Sequence, residues 1–435
     1  MGKESLAMTQ TTTPNPQTAP ALRPIEHVGV IGGGTMGAGI AVALLQAGLH
    51  VTLIERDDTA LQAGTQRVHK VFGGMVAKGR LSADEATDTL ARLQPSTQMS
   101  SLATVDLAIE AVFEDMAVKL AVFAELDHHC KPGAILATNT SYLDVNAIAE
   151  AISRPADVIG LHFFSPAHVM KLLEVVLPRA VAPDVVATAL ALAQRLRKVA
   201  VCAGVCDGFI GNRILAVYRT AADHMVEDGA SPYEIDAMAR EFGYPMGPYE
   251  VSDLAGGDIG WATRKRRAAT RDPRARYVRI ADRLCQQGWF GQKTGRGWYR
   301  YAPGSRQGTP CPDVMAIIES ERGKVGITPR RFSAEDMRWR YLCAMVNEGL
   351  RVVDEGIAQR PADVDLVMCH GYGFPKALGG PMAWADAQGL GTVLAHIQRF
   401  HDEDRERDPL FWRPAPLLER LVAEGRTLAS LNTAT

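Results

Sequence analysis

No CxxC pair, no cysteine–histidine cluster at zinc-ligand spacing and no uncharged apolar run of membrane-spanning length occurs in the 435 residues of this chain. Its seven cysteines, Cys130, Cys202, Cys206, Cys285, Cys311, Cys343 and Cys369, are scattered and odd in number. That excludes a disulfide framework and zinc-ligand spacing and points to a reducing compartment, the cytoplasm. A bilayer-crossing helix needs roughly 18–20 successive apolar residues, so no membrane insertion is expected. An excess of either charge is also missing: 47 Lys+Arg against 49 Asp+Glu leave a formal net charge of −2. Nucleic acid and acidic membrane surfaces are therefore not expected partners. Residues 1–24, polar and rich in Pro and Thr, contain no apolar core and no basic amphipathic pattern; they read as a disordered leader without an export or organelle address.

A chain of this length exceeds one ordinary core and implies two or three domains. The first begins at His27, where an apolar strand to Ile31 meets Gly32-Gly33-Gly34-Thr35-Met36-Gly37, a helix over 38–49 and a second strand over 51–54. In a dinucleotide-binding βαβ unit Gly32 permits the tight turn, Gly34 lets the backbone approach a pyrophosphate, and Gly37 lets the helix lie close to the strand. The N–H groups opening the helix, Thr35 and Met36 among them, supply partial positive charge for the phosphates. Glu55, closing the second strand, suits a ribose diol and would repel a 2′-phosphate, which favours NAD over NADP; the adjacent Arg56 is the one feature that softens this preference. Ser82-Ala83-Asp84-Glu85 is a capping box in a helical excursion between 57 and 93. Further strands are expected over 105–112 and 134–141, separated by a helix over 118–130. Glu114 and Lys119, then Asn139 and Ser141, follow these strands and are expected at the sheet edge that holds the dinucleotide.

A third apolar run, Val158 to Leu161, ends in His162, and Glu174 follows twelve residues later. A histidine titrates near neutrality, and a neighbouring carboxylate both fixes its tautomer and favours the imidazolium formed when it accepts a proton. Spacing alone also permits a strand-end histidine and a surface glutamate on the next strand.

After Val199–Cys202 the strand–helix alternation stops and a helix-rich region begins, with a boundary near Cys206. Ser231-Pro232-Tyr233-Glu234 is a helix start. Glu227-Asp228-Gly229, Asp236, Gly243-Tyr244-Pro245, Gly247-Pro248 and Asp253 recur as Asp354-Glu355-Gly356, Asp365, Gly373-Phe374-Pro375, Gly380-Pro381 and Asp386. This is a duplicated helical domain, with a Pro/Gly-rich linker at 302–310. Counted back from the glycine of each acidic turn, the second-copy counterpart of Asn212 falls near Trp339. The basic run Arg264-Lys265-Arg266-Arg267 with Arg271, Arg274, Arg276 and Arg279 reads as a solvated face, with a CoA-phosphate contact as the lesser alternative.

Glu110-Ala111-Val112-Phe113-Glu114-Asp115, Thr138-Asn139-Thr140-Ser141, His162 to Val176, Gly208-Phe209-Ile210-Gly211-Asn212-Arg213 and Phe290-Gly291-Gln292-Lys293-Thr294-Gly295 together resemble the L-3-hydroxyacyl-CoA dehydrogenases over roughly residues 25–425. The likeness is greatest to the dehydrogenase half of the bifunctional enoyl-CoA hydratase/3-hydroxyacyl-CoA dehydrogenases, and no hydratase half is expected. The resemblance implies an α/β plus all-α architecture: a Rossmann-type NAD-binding domain over 25–205, then two tandem helical C-terminal-type domains over 206–301 and 331–425, with a linker at 302–330 and a tail at 426–435. It implies NAD-dependent oxidation of an L-3-hydroxyacyl-CoA to the 3-oxoacyl-CoA. His162 would be the acid/base, Glu174 its orienting carboxylate, and Ser141 and Asn212 the partners of the reacting oxygen and nearby cofactor. Glu55, Glu114, Lys119, Asn139, Ser141 and Lys293, with the glycine loop, would form the NAD site.

Three positions depart from the family's pattern: Glu55 stands where Asp is common, Tyr142 where a small residue is usual, and Asp207 where a proline is usual. Tyr142 is expected to narrow the acyl pocket and Asp207 to loosen the approach to the helix bearing Asn212. Single-copy relatives pair their helical domains across a dimer, so both a homodimer and a monomer with an intrachain pseudo-dimer are open, with a separate hydratase or thiolase as a further partner. The alternatives are a non-catalytic NAD-binding scaffold for such an enzyme and a dehydrogenase of a free small 3-hydroxy acid. A scaffold has no need for a histidine, carboxylate, hydroxyl and amide in one pocket.

Overall fold

Near-continuous apolar runs, rather than alternating ones, mark strands covered on both faces. In the computed structural model, which describes residues 20–432, they form β1 (His27–Ile31), β2 (His50–Ile54), β4 (Leu107–Glu110), β5 (Ile135–Thr138), β6 (Val158–Phe163), β7 (Leu172–Leu177) and β8 (Val199–Gly204), while the mostly polar β3 (Leu93–Ser96) is an edge strand. They make one sheet in the order β3-β2-β1-β4-β5-β6-β7-β8. Every neighbouring pair is parallel except β6–β7. The chain reverses its direction of sheet growth between β1 and β4, so a crevice opens beyond their carboxyl ends, the usual ligand position in such sheets.

Helices α1 (Thr35–Gln46), α2 (Asp58–Ala77), α3 (Ala83–Leu90), α4 (Met116–His129), α5 (Val145–Glu150) and α6 (Pro183–Arg195) connect the strands. Their starts follow local chemistry. Ser82 and Glu85 form the expected reciprocal capping box, Asp57 accepts from Ala60 N–H, and Asp115 accepts from Val118 N–H. Of the expected leader, residues 1–19 lie outside the described residues. Arg23 at its end is fastened, its guanidinium donating to Asp157 at 2.6 Å and Asp184 at 2.8 Å.

The helical half comprises α7 (Gly211–Asp228), α8 (Pro232–Phe242), α9 (Pro248–Ala255), α10 (Gly257–Arg266), α11 (Ile280–Gln286), α12 (Pro312–Lys324), α13 (Ala334–Asp354), α14 (Pro361–Gly371), α15 (Pro381–Gln388), α16 (Leu390–Asp404) and α17 (Pro416–Glu424). The repeated aspartates explain the duplication. Asp236 on α8 accepts from Tyr249 and Glu250 N–H at the start of α9, and Asp365 on α14 accepts from Met382 and Ala383 N–H at the start of α15. Asp253 takes the N–H groups of Trp298 and Tyr299, and Asp386 those of Leu428 and Ala429. Each copy thus uses one carboxylate to cap a helix, buried in the case of Asp236 and partly buried in that of Asp365, and a second to hold its C-terminal segment. Residues 426–432, expected as tail, are by this bond part of the second copy, with Leu428 buried.

The two copies pack mainly through α7 and α13. Tyr218 and Tyr341 meet edge to face at 4.9 Å, and Arg213 reaches Glu348 at 2.5 Å and Glu355 at 2.6 and 2.9 Å. The stretch 302–330 is more than a linker. It carries one strand of a hairpin and α12, whose buried Arg322 donates to the carbonyls of Val226, Glu227 and Ala230, groups left open where α7 ends. The second copy also reaches the sheet: Gly204 N–H donates to Ile357 carbonyl at 2.8 Å, and α14 lies against β7 and β8.

Candidate active site

The glycine loop after β1 is shaped as a cradle. Gly32 has φ +98°, and any Cβ there would press on the Ala111 carbonyl after β4. A Cβ on Gly37 would strike the Gly32 carbonyl, whereas one on Gly34 would meet nothing within 4 Å. The backbone at Gly34 therefore faces open space beside the N-terminus of α1. No side chain caps that terminus and no acidic residue stands in its first turn, which includes Thr35 and Met36. Unpaired N–H groups and a positive dipole end fit a pyrophosphate. Glu55 stands beside them, its carboxylate accepting Gly33 N–H at 2.6 Å, and Arg67 donates to the Gly33 carbonyl at 3.0 Å. These residues fit a dinucleotide.

Beyond β4 and β5 the expected lining residues divide by role. Lys119 is only 1% exposed, its ammonium 2.7 Å from Glu110 and 3.3 Å from Glu114. Glu110, which the sequence reading passed over, also accepts from Thr138 hydroxyl and Val112 N–H, both at 2.7 Å. Its only sequence signal is a carboxylate ending an apolar strand. Glu114 accepts from the Thr140 hydroxyl and the backbone N–H groups of Ser141 and Tyr142 at 2.6, 2.8 and 3.1 Å. It therefore holds the turn that presents Ser141, whose hydroxyl has no hydrogen-bond partner among the described residues. Asn139 ties β5 to β6, its Oδ1 accepting Phe163 N–H at 2.8 Å.

His162 and Glu174 are directly opposed across the antiparallel β6–β7 junction. Both side chains are buried, and His162 Nδ1 lies 2.7 Å from Glu174 Oε2. An ionised carboxylate only accepts, so Nδ1 carries the proton and Nε2 is left as the basic nitrogen. The ring is walled by Phe164 and Phe209, with centroids at 4.5 and 5.7 Å. Phe209 reaches this position with φ +49°, a left-handed conformation uncommon for a bulky residue. Glu174 uses its other oxygen to accept Ile210 and Gly211 N–H at 3.2 and 3.0 Å. One carboxylate thus fixes the histidine and the start of α7, whose next residue is Asn212.

Two of the unusual positions meet. Asp207 accepts from Arg266 and Arg267, each at 2.9 Å, and both guanidiniums lie over the Tyr142 ring, 5.3 and 6.0 Å from its centroid. Asp207, expected to loosen the approach to α7, thus pairs with the two arginines at the end of α10, both contacts partly exposed. Burial raises the Tyr142 phenol above its usual range. Of the basic run, Lys265, Arg266, Arg274 and Arg279 are exposed, while others are drawn into ion pairs. Arg264 pairs with Asp282, and the buried Arg276 pairs with Glu227 and Asp228. Lys293, expected among the NAD-site residues, pairs its ammonium with Asp258 of α10 at 2.5 Å. Trp339 stacks on His396 at 3.9 Å, far in role from an active-site amide. Among the described residues no cluster of His, Cys, Asp or Glu could hold a metal ion, and no helix is long and apolar enough to cross a membrane.

With this geometry in place, comparison with known proteins gives concordant matches. Residues 27–206 match the family model described as 3-hydroxyacyl-CoA dehydrogenase, NAD binding domain; residues 208–301 and 338–430 each match the C-terminal domain of the same family. The peroxisomal bifunctional enzyme of Cavia porcellus is 42% identical over 417 residues, covering 93% of this chain. The chain spans 57% of that relative's length. Among solved structures, 3-hydroxybutyryl-CoA dehydrogenase from Escherichia coli aligns with a TM-score of 0.80 at 29% identity, covering 92% of this chain and 99% of that one. FadB2 of M. tuberculosis aligns with a TM-score of 0.61 at 36% identity, covering 64% of this chain and 99% of its own.

Proposed function

The chain belongs to the 3-hydroxyacyl-CoA dehydrogenase family, and from that premise we propose that it interconverts L-3-hydroxyacyl-CoA and 3-oxoacyl-CoA with NAD. The observation that carries this reading is the buried His162–Glu174 pair at the carboxyl end of β6, on the same edge of the sheet as the glycine cradle.

His162 Nε2 takes the proton of the C3 hydroxyl and returns it in the reverse direction. NAD, when bound, supplies the hydride acceptor. Positive charge grows on the imidazole as the proton arrives, so Glu174 stabilises the transition state more than the resting state, which is the condition for rate acceleration. Ser141 hydroxyl and Asn212 amide are the donors for the C3 oxygen as it loses its proton. Phe164 and Phe209 exclude water from the ring face of His162 and strengthen its pairing with Glu174. The cradle of Gly32, Gly34, Thr35, Met36 and Gly37 holds the pyrophosphate, with Glu55 beside the ribose and Asn139 and Glu114 holding the loops. The α7–α13 pairing supports a monomer that closes its own helical interface.

A panel of 3-oxoacyl-CoA thioesters of rising chain length, with NADH and with NADPH, tests this reading through loss of reduced-nicotinamide absorbance. Consumption of NADH in preference to NADPH with at least one thioester is expected. Turnover of free 3-hydroxybutyrate but of no thioester would instead select a small hydroxy-acid dehydrogenase, and NAD binding without any turnover would select a scaffold.

A further inference from the structure

We propose that Tyr372, from the second helical copy, is a positioning residue for the active-site amide of Asn212, so that the second copy completes the dehydrogenase site. The inference rests on the function proposed above.

Tyr372 follows α14 directly, and α14 lies on β7 and β8 beside the reacting edge of the sheet. Its phenolic hydroxyl donates to Asn212 Oδ1 at 2.9 Å, across 160 residues of chain. The ring meets Phe164 edge to face at 5.6 Å, and Phe164 in turn packs against His162. On the other side, the ring occupies the place where a Cβ on residue 211 would be, so Gly211 is what allows this approach. The same Gly211 donates its N–H to Glu174. Tyr372 therefore touches the histidine wall, the turn held by the catalytic carboxylate and the amide itself.

The bond decides which way the amide faces. An asparagine presents one accepting oxygen and one donating nitrogen, and rotation by half a turn exchanges them. Among the described residues, Asn212 Oδ1 is the one acceptor within hydrogen-bond reach of the Tyr372 proton. A buried hydroxyl proton without an acceptor is costly, so the phenol holds Oδ1 towards itself. Nδ2 is thereby kept as the group that donates to the C3 oxygen. Burial, followed by the nearby Glu174 charge, keeps the phenol well above its ordinary range, so it remains a donor at every working pH.

A merely structural Tyr372 would act through its ring, which Tyr372→Phe retains. Steady-state reduction of a 3-oxoacyl-CoA by NADH is measured for the unaltered chain and for Tyr372→Phe, Asn212→Ala and the double variant. We expect kcat of Tyr372→Phe to fall about three- to tenfold, with KM for the thioester and Kd for NADH within about twofold of their original values. In the Asn212→Ala background the same change should have no further effect, because the amide it orients is gone. Unaltered kcat in Tyr372→Phe, or the same loss in both backgrounds, would overturn the inference. Absence of turnover in the unaltered protein would remove the dehydrogenase reading itself, and so the two failures are distinguishable.

Discussion

Replacing Glu174 by Gln removes a charge while keeping size, and the structure says why the site cannot absorb the change. The carboxylate accepts three N–H donors: His162 Nδ1 on one oxygen, Ile210 and Gly211 on the other. A glutamine has one accepting oxygen and one NH2 group. If the oxygen stays with the two backbone N–H groups at the start of α7, the NH2 faces His162, and the ring must shift its proton to Nε2, the nitrogen required as base. If the oxygen turns to His162, the NH2 opposes two buried donors. Hydrogen bonds to a charged group contribute about 1.5–3 kcal/mol each, so the variant should lose roughly that much stability. The wrong tautomer and the missing counter-charge should together lower kcat by about 10²–10⁴. Denaturant unfolding supplies the first number and NADH-dependent reduction of a 3-oxoacyl-CoA the second, with Kd for NADH showing that the cradle is intact. A Glu174→Gln protein turning over within about twofold of the original would refute the reasoning.

Lys119→Met should leave Glu110 buried with two neutral donors and no cation, costing about 3–5 kcal/mol in unfolding free energy; a loss below about 1 kcal/mol would show the pair is dispensable. His224 is fully buried and its pKa is held down to about 3, chiefly by burial and then by Arg276. The folded protein therefore refuses a proton that the unfolded chain accepts below about 6.5, so stability is complete near neutrality and is lost as pH falls from about 6.5 towards 3. Between pH 7 and 5 the loss from this residue should be about 2 kcal/mol, and His224→Gln should remove it; identical pH slopes in the two proteins would contradict the assignment.

The parts of this molecule that were legible from its residues are those decided locally. Ser82 announced its capping box and Ser231 its helix start because the partner stands three residues away, and the glycine cradle followed from strand, turn and helix in succession. The duplication was visible because Asp236 and Asp365 stand in the same order among the same glycine and proline signals, although 13 residues separate Asp236 from Tyr249 and 17 separate Asp365 from Met382. The His162–Glu174 pairing was readable as a possibility, but its register across an antiparallel junction required the sheet. Lys119 shows what local pattern leaves out: it stands on α4, nine residues beyond Glu110, and its pairing with that buried carboxylate is seen only once strand and helix are packed together. Tyr372 left no signal at all, since its partner lies 160 residues away and a tyrosine after a helix is commonplace. The partners of Asp207 were not legible either, since Arg266 and Arg267 stand 59 and 60 residues further along the chain.

The central claim is that His162 moves the proton of the reacting hydroxyl. Turnover and NADH binding of His162→Gln, measured on the same preparation, test it most directly. The account predicts an unchanged Kd for NADH with kcat lowered by about 10²–10⁴. Unaltered kcat with NADH bound as before would contradict it.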